Sequence, residues 1–183
     1  MTMRVVIDAC VLYPSILRSI VLDCAKAGAF VPLWSDRILE EWRRAAVKNG
    51  IGPMAETEIA LLRADWRKAC VDISGIDLET LYLPDADDRH VLAAAIAGQA
   101  DELLTANTGD FPTGVLASHK ILRRHPDEFL LELALGDTEM MTDVLNRTHS
   151  AAEAMKGDTV NRRKMVQRCG LPRLAKWDGA RVA

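Results

Sequence analysis

Arg4-Val5-Val6-Ile7-Asp8 is a short β-branched run that closes on an acid. Three β-branched side chains in succession, with no polar alternation, read as a buried strand. A helical pattern follows. After Pro14-Ser15, the residues Ile16, Leu17, Ile20, Val21 and Cys24 recur at three- and four-residue spacing, and Gly28 stands where a helix ends. The alternation continues. Phe30-Val31-Pro32-Leu33-Trp34 reads as a second strand, pushed toward an edge by Pro32. Ser35 suits the N-cap of a helix to about Lys48, Gly50-Ile51-Gly52-Pro53 breaks it, and residues 54–70 form another amphipathic helix. Residues 71–83 hold short strand pieces near Val71 and Leu81. Asp85-Ala86-Asp87-Asp88 opens a helix from Arg89 to about Gln99, its acids at the positive end of the dipole. Leu103-Leu104-Thr105 and Ile121-Leu122 read as strands, and Pro126 takes a first helical position. Strand alternating with helix predicts a three-layer α/β/α sandwich around a central parallel sheet.

The last part of the chain reads differently. Residues 137–183 are predicted helical, in pieces over 138–155 and 159–169, with Asp158 capping the second and Gly170 and Pro172 closing it. The expected division is a catalytic-type domain over 1–136 and a basic helical extension over 137–183. From 140 onward there are nine Lys or Arg against four Asp or Glu, whereas the whole chain carries a net charge of −3. A solvated basic helix face accounts for this, as does a surface for nucleic acid or an acidic partner.

At 183 residues and 49% hydrophobic, the chain can bury a sizeable core without staples. With 27% charged residues and a mean hydropathy of +0.01, disorder is excluded as the general state. No apolar run approaches the length of a membrane span, and Met1-Thr2-Met3-Arg4 lacks the pattern of a signal peptide. Cys10, Cys24, Cys70 and Cys169 form no Cys-x-x-Cys pair, which argues against a zinc site or disulfide framework. The expectation is a reduced, cytoplasmic protein with no membrane association.

In open parallel sheets, functional residues gather outside the carboxyl ends of the strands. Asp8 ends the first strand, Asp88 lies in the first turn of the helix over 89–99, Asp110 lies in the loop after the Leu103–Thr105 strand, and Glu41 stands mid-helix beside Ile38 and Trp42. Glu40 points about 100° away from Glu41 and shares no role with it. Carboxylates converging in one crevice raise one another's pKa values unless cations occupy the site. Such a cluster suits Mg²⁺ or Mn²⁺ and permits metal-assisted phosphodiester hydrolysis. Each acid also has an ordinary structural account: Asp85 and Asp87 as helix-start acids, Asp110 as a turn residue beside Gly109. His90 and Arg89 flank Asp88 and read mainly as helix-packing or surface residues. Arg123-Arg124 and Arg162-Arg163-Lys164 are candidates for an RNA backbone. Trp34, Trp42 and Trp66 read as core, and Trp177 is left open.

Taken in order, the motifs resemble a family. Val6-Ile7-Asp8-Ala9-Cys10-Val11-Leu12-Tyr13 is similar to the opening signature of PIN-domain ribonucleases, and Ser35-Asp36-Arg37-Ile38-Leu39-Glu40-Glu41-Trp42 to their second acidic motif. Leu83-Pro84-Asp85-Ala86-Asp87-Asp88-Arg89-His90-Val91-Leu92-Ala93-Ala94-Ala95 resembles the third. Leu103-Leu104-Thr105-Ala106-Asn107-Thr108-Gly109-Asp110-Phe111-Pro112 resembles the fourth, and His125-Pro126-Asp127-Glu128-Phe129-Leu130 the closing segment. The resemblance covers about residues 3–131. It implies a Mg²⁺- or Mn²⁺-dependent endoribonuclease leaving 5′-phosphate and 3′-hydroxyl ends, of the VapC type. It also implies an RNA substrate, a small antitoxin as partner and a homodimer. It assigns Asp8, Glu41 and Asp88 to catalysis, with Asp8 and Asp88 on the metal; Asp110 is expected to complete both sets by supplying the missing carboxylate, with the carbonyl oxygen of Asn107 as the alternative. Thr105, Asn107 and Asp85 stand behind them. Two positions depart from the pattern: Cys10 stands where many relatives have Asn, and Asn107 where many have Asp. Cys10 reads as a small core residue. Those departures leave a second reading, a catalytically weak scaffold that binds a protein partner or RNA. Phosphoryl transfer through an aspartyl phosphate at Asp8 is disfavoured, because no Lys occurs between Lys68 and Lys120.

Overall fold

The computed structural model describes residues 2–182. Four strands, β1 (Arg4–Ile7), β2 (Val31–Leu33), β3 (Glu102–Leu104) and β4 (Leu122–Arg124), form one parallel sheet in the order β2-β1-β3-β4. The helices are α1 (Ala9–Leu12), α2 (Ser15–Lys26), α3 (Asp36–Lys48), α4 (Gly52–Asp65), α5 (Arg89–Ala97), α6 (Thr113–Ser118), α7 (Pro126–Gly136), α8 (Thr138–Lys156), α9 (Arg162–Arg168) and α10 (Pro172–Val182). The expected α/β class with a parallel sheet and C-terminal helices is what the chain forms.

The chain divides into two compact units. The first comprises the described part of Met1–Tyr13 together with Phe30–Arg124. It contains the sheet, α1 and α3 through α6. Val5, Val6 and Ile7 of β1 are completely buried, as are Leu103 and Leu104 of β3, which explains their unbroken apolar character. In sequence β1 leads to β2 on one side of it, while β3 lies on the other, so the sheet reverses its direction of winding between β1 and β3. Ile7 pairs with Leu104 across this seam, and the Asp8 N–H donates to the Leu104 carbonyl at 3.1 Å. Asp8 and Thr105 therefore leave the sheet side by side. Ser35 caps α3 as expected, its hydroxyl accepting the Ile38 N–H at 3.3 Å. Gly98 ends α5 where a Cβ would lie 2.9 Å from the Ala94 carbonyl oxygen and 3.0 Å from Leu33, so helix and sheet approach too closely for a side chain.

The expected strands of residues 71–83 are not formed. That stretch holds a 3₁₀ turn at Leu78–Thr80, and the nearest pairing is an isolated bridge from Cys70, just before it, to Trp34. Asp72 and Asp77 accept the N–H groups of Ser74 (2.9 Å) and Glu79 (3.0 Å), local bonds that compete with a ladder. Trp34 and Trp42 belong to the core as expected, whereas Trp66 is only half-buried.

The second unit comprises Pro14–Ala29 and the described part of His125–Ala183. It is a helical assembly in which α8 packs on α2 and α7, and α10 on α7 and α9. Here Pro172 opens a helix instead of closing one. It sits at the start of α10, where a missing N–H is no loss. The free N–H groups of Arg173 and Leu174 are taken by the buried carboxylate of Asp127, in the first turn of α7, at 3.0–3.1 Å. The cap of α9 is Asn161, which accepts the Lys164 N–H at 2.9 Å, not Asp158. Arg162 is spent internally: it forms a paired contact with the buried carboxylate of Asp178 (2.8 and 2.6 Å) and reaches Asn146. Trp177 lies beneath the Arg181 guanidinium at 5.3 Å.

Candidate active site

At the carboxyl ends of β1 and β3 a cleft of about 320 Å³ opens, lined by Asp8, Cys10, Glu41, Asp88 and Asn107 among others. All of these residues belong to the first unit. Asp8 arrives from β1, Glu41 from the middle of α3, Asp88 from the start of α5, and Asn107 from the loop after β3. Four distant stretches of sequence thus meet because the sheet brings its strand ends together.

Asp8 is 7% exposed and firmly held. Its Oδ2 accepts the Thr105 hydroxyl at 2.7 Å and the Cys10 thiol at 3.0 Å. The fully buried Thr105 hydroxyl accepts the Asn107 N–H at 3.0 Å, so one hydroxyl aligns both the acid and the loop. Cys10 is not a plain core residue: it lines the cleft, and its sulfur also accepts the Ala106 N–H at 3.3 Å. Burial, followed by the neighbouring Asp8 charge, pushes its thiol up to about 12. It therefore stays protonated as the donor to Asp8.

Asp110 is drawn in by Asn107, whose side-chain amide donates to its carboxylate. The Arg123 guanidinium bonds the carbonyls of Thr108 (2.6 Å) and Phe111 (2.9 Å), and fully buried Phe111 anchors the loop from the other end. Arg123 thus serves the loop, and Arg124 pairs with Glu102 at 3.2 Å in the sheet. Both guanidiniums are engaged within the fold, which the dibasic sequence did not reveal.

Single carboxylate oxygens of Asp85, Asp88 and Asp110 lie within 4.8 Å of one another. Asp85 also caps the 3₁₀ turn Ala86–Asp88 by accepting the Asp87 N–H at 2.9 Å, so its ordinary structural account and its place in the cluster both hold. The electrostatic focus is Asp88. Desolvation, and then the charges of Asp8, Asp110, Asp85 and Glu41, raise its carboxyl from 3.8 to about 6. Crowding of this kind is relieved by a cation, and an all-oxygen donor set suits a hard one such as Mg²⁺ or Mn²⁺. Asp85, Asp88 and Asp110 fit that ion, whereas the expected ligand Asp8 and the acid Glu41 line the cleft outside that close group.

Glu41 and Glu40 part as their helical positions require. Glu40 pairs with Arg43 and Arg44 at 2.7–2.9 Å, and these bonds hold its carboxyl down at about 2. Glu41 turns toward the cleft and meets His90, whose Nε2 lies 2.8 Å from Oε1. His90 is fully buried, which fits a helix-packing residue and not a surface one. A single histidine on an apolar helix gives no spacing signal, and the partner lies 49 residues away.

Comparison with known proteins agrees with this arrangement. A family model described as PIN domain matches residues 4–109. A curated protein named "Putative ribonuclease VapC50", from Mycobacterium tuberculosis (strain ATCC 25618 / H37Rv), is 47% identical over 45 residues. The matched segment covers 25% of this chain and 27% of that protein. No solved structure matches. The family match takes in β1, the acidic cleft and its loop up to Gly109, more than half of the sequence, and the chain belongs to the PIN domain family.

Proposed function

We propose that the protein is a metal-dependent endoribonuclease and the toxin of a toxin–antitoxin pair. The observation that carries this reading is the pressure on Asp88. Its carboxyl stands at about 6 because burial and four other acids surround it at the switch point of a parallel sheet. The name of the partial relative, a ribonuclease, supports RNA as the substrate.

In this reading Asp8, Asp88 and Asp110 hold Mg²⁺ or Mn²⁺. When bound, that ion supplies positive charge to the phosphate oxygens and favours ionisation of water for in-line attack. Asp8 keeps its ligand geometry through Thr105 and Cys10. Asp110 keeps its own through Asn107, so the amide at that position supports a carboxylate in place of supplying one. Asp85 adds negative charge from the 3₁₀ turn. Glu41 completes the catalytic group as the acceptor of the water proton. Residues 1–136 carry the nuclease, and 137–183 form the basic extension. Exposed Arg163, Lys164, Arg168 and Lys176 are its cations for an RNA backbone. A small antitoxin, a homodimer and a cytoplasmic location complete the proposal. Among the described residues no helix is long and apolar enough to cross a membrane.

The test is cleavage of a panel of RNAs with Mg²⁺ by the wild type and by Asp8→Asn. Cleavage by the wild type alone is expected. Equal cleavage by both overturns the assignment, and cleavage by neither leaves the scaffold reading in its place.

A further inference from the structure

We propose that His90 is a positioning residue for the acidic cleft, holding Glu41 in place from inside the core. The inference rests on the metal-dependent reading of the cleft given above.

The acids of the cleft are held in different ways. Asp8 has Thr105 and Cys10, Asp110 has Asn107, and Asp85 has the Asp87 N–H. Glu41 rises from a helix on a flexible side chain, 36% exposed, and reaches into the cleft. Among the described residues, the one side chain that hydrogen-bonds its carboxylate is His90. A glutamate left to itself on a helix face would populate several rotamers. A bond from a rigid, fully buried ring selects one of them and occupies Oε1, which leaves Oε2 for the cleft.

The other ring nitrogen gives the second observation. His90 Nδ1 is buried and has no hydrogen-bond partner among the described residues. The ring's proton therefore belongs on Nε2, which faces a carboxylate, and not on Nδ1, which faces no acceptor. Around it Val91, Leu92, Ala93 and Ala94 are completely buried, so an apolar side chain would suit this position without leaving a nitrogen unpaired. The polar ring has one visible use, its contact with Glu41. Glu41 is not among the three acids assigned to the ion, but its charge is one of those that crowd Asp88, so its position bears on the attraction for a cation; loss of partners that orient groups at metal sites typically weakens metal binding by about 10–100-fold.

The test is a Mn²⁺ titration by calorimetry on the full chain, in a cycle of His90→Met, His90→Gln and Glu41→Gln. Gln places an amide donor near the position of Nε2, whereas Met has similar size and no donor. The expected result is an affinity about tenfold weaker for His90→Met and an affinity within about twofold of the wild type for His90→Gln, as a donor-only role requires. In the Glu41→Gln background, His90→Met should have no further effect. Equal affinities for the Met and Gln variants, or a loss at His90→Met that persists without the Glu41 carboxylate, overturns the proposal. If His90→Met does not fold, nitrogen-15 NMR of the wild-type imidazole decides. A proton on Nε2 whose resonance moves in Glu41→Gln supports the role, and a proton on Nδ1 overturns it. A wild type that binds Mn²⁺ but cleaves no RNA overturns the nuclease reading alone, while the affinity cycle still decides His90. A wild type that binds no Mn²⁺ overturns both.

Discussion

Replacing Asp88 by Asn should stabilise the metal-free protein at neutral pH, although it removes an acid from the start of a helix. Asp88 makes no capping bond through its side chain, and Asn occupies the same N-cap position equally well. What the substitution removes is a carboxylate whose pKa is raised from 3.8 to about 6 by desolvation and by four neighbouring acids. That is roughly a hundredfold change in proton affinity, or about 3 kcal/mol against the ionised folded state before screening. The group is half-buried, and screening across the open cleft reduces this to about 1 kcal/mol. The folded carboxyl binds its proton more tightly than the unfolded one. The penalty is therefore absent below pH 3.8, grows as pH rises toward 6, and is constant above it. Urea unfolding of wild type and Asp88→Asn in chelator, from pH 3.5 to 7.5, should give curves that coincide at the acid end. They should diverge by about 1 kcal/mol in favour of the variant by pH 7. Mn²⁺ should then raise the stability of the wild type more than that of the variant. A variant less stable at pH 7, or a difference that does not change across pH 4 to 6, would show that the ionised Asp88 carries no such penalty.

Other parts of the fold yield expectations of the same kind. Thr105→Val removes the hydroxyl shared by Asp8 and the Asn107 N–H. It should lower stability by about 1–2 kcal/mol in chemical unfolding and weaken Mn²⁺ binding by about tenfold in calorimetry. Arg123→Met leaves the carbonyls of Thr108 and Phe111 without their donor. It should cost about 2 kcal/mol, with faster amide exchange confined to residues 105–112. Asp127→Ala strips the cap from α10. A loss of about 2 kcal/mol and rapid exchange at Arg173 and Leu174 are expected, with metal affinity unchanged.

What the sequence made legible follows from what is local. The β-branched run before Asp8, the Ser35 cap and the acids before α5 are each fixed by neighbours a few residues away. Parallel pairing also followed, since strand–helix alternation leaves few other solutions. Two signals mislead, each for its own reason. Pro172 reads as a stop and is a start, completed by Asp127, which caps Arg173 from 46 residues earlier. In residues 71–83 the apolar content suggested strands, but Asx bonds at Asp72 and Asp77 won locally. At the cleft, the acids could be named from motif order. Their supports could not: His90 for Glu41, Arg123 for the loop, and the Cys10 thiol for Asp8 are contacts made by the fold, and no periodicity encodes them.

Whether these carboxylates hold a divalent ion is decided by crystals of the wild type grown with Mn²⁺ and measured at an anomalous wavelength. A peak is expected in the cleft within about 2.5 Å of carboxylate oxygens of Asp8, Asp88 or Asp110, with its loss in Asp8→Asn. A Mn²⁺-saturated crystal with no peak there, or with the ion bound elsewhere on the chain, would contradict that binding.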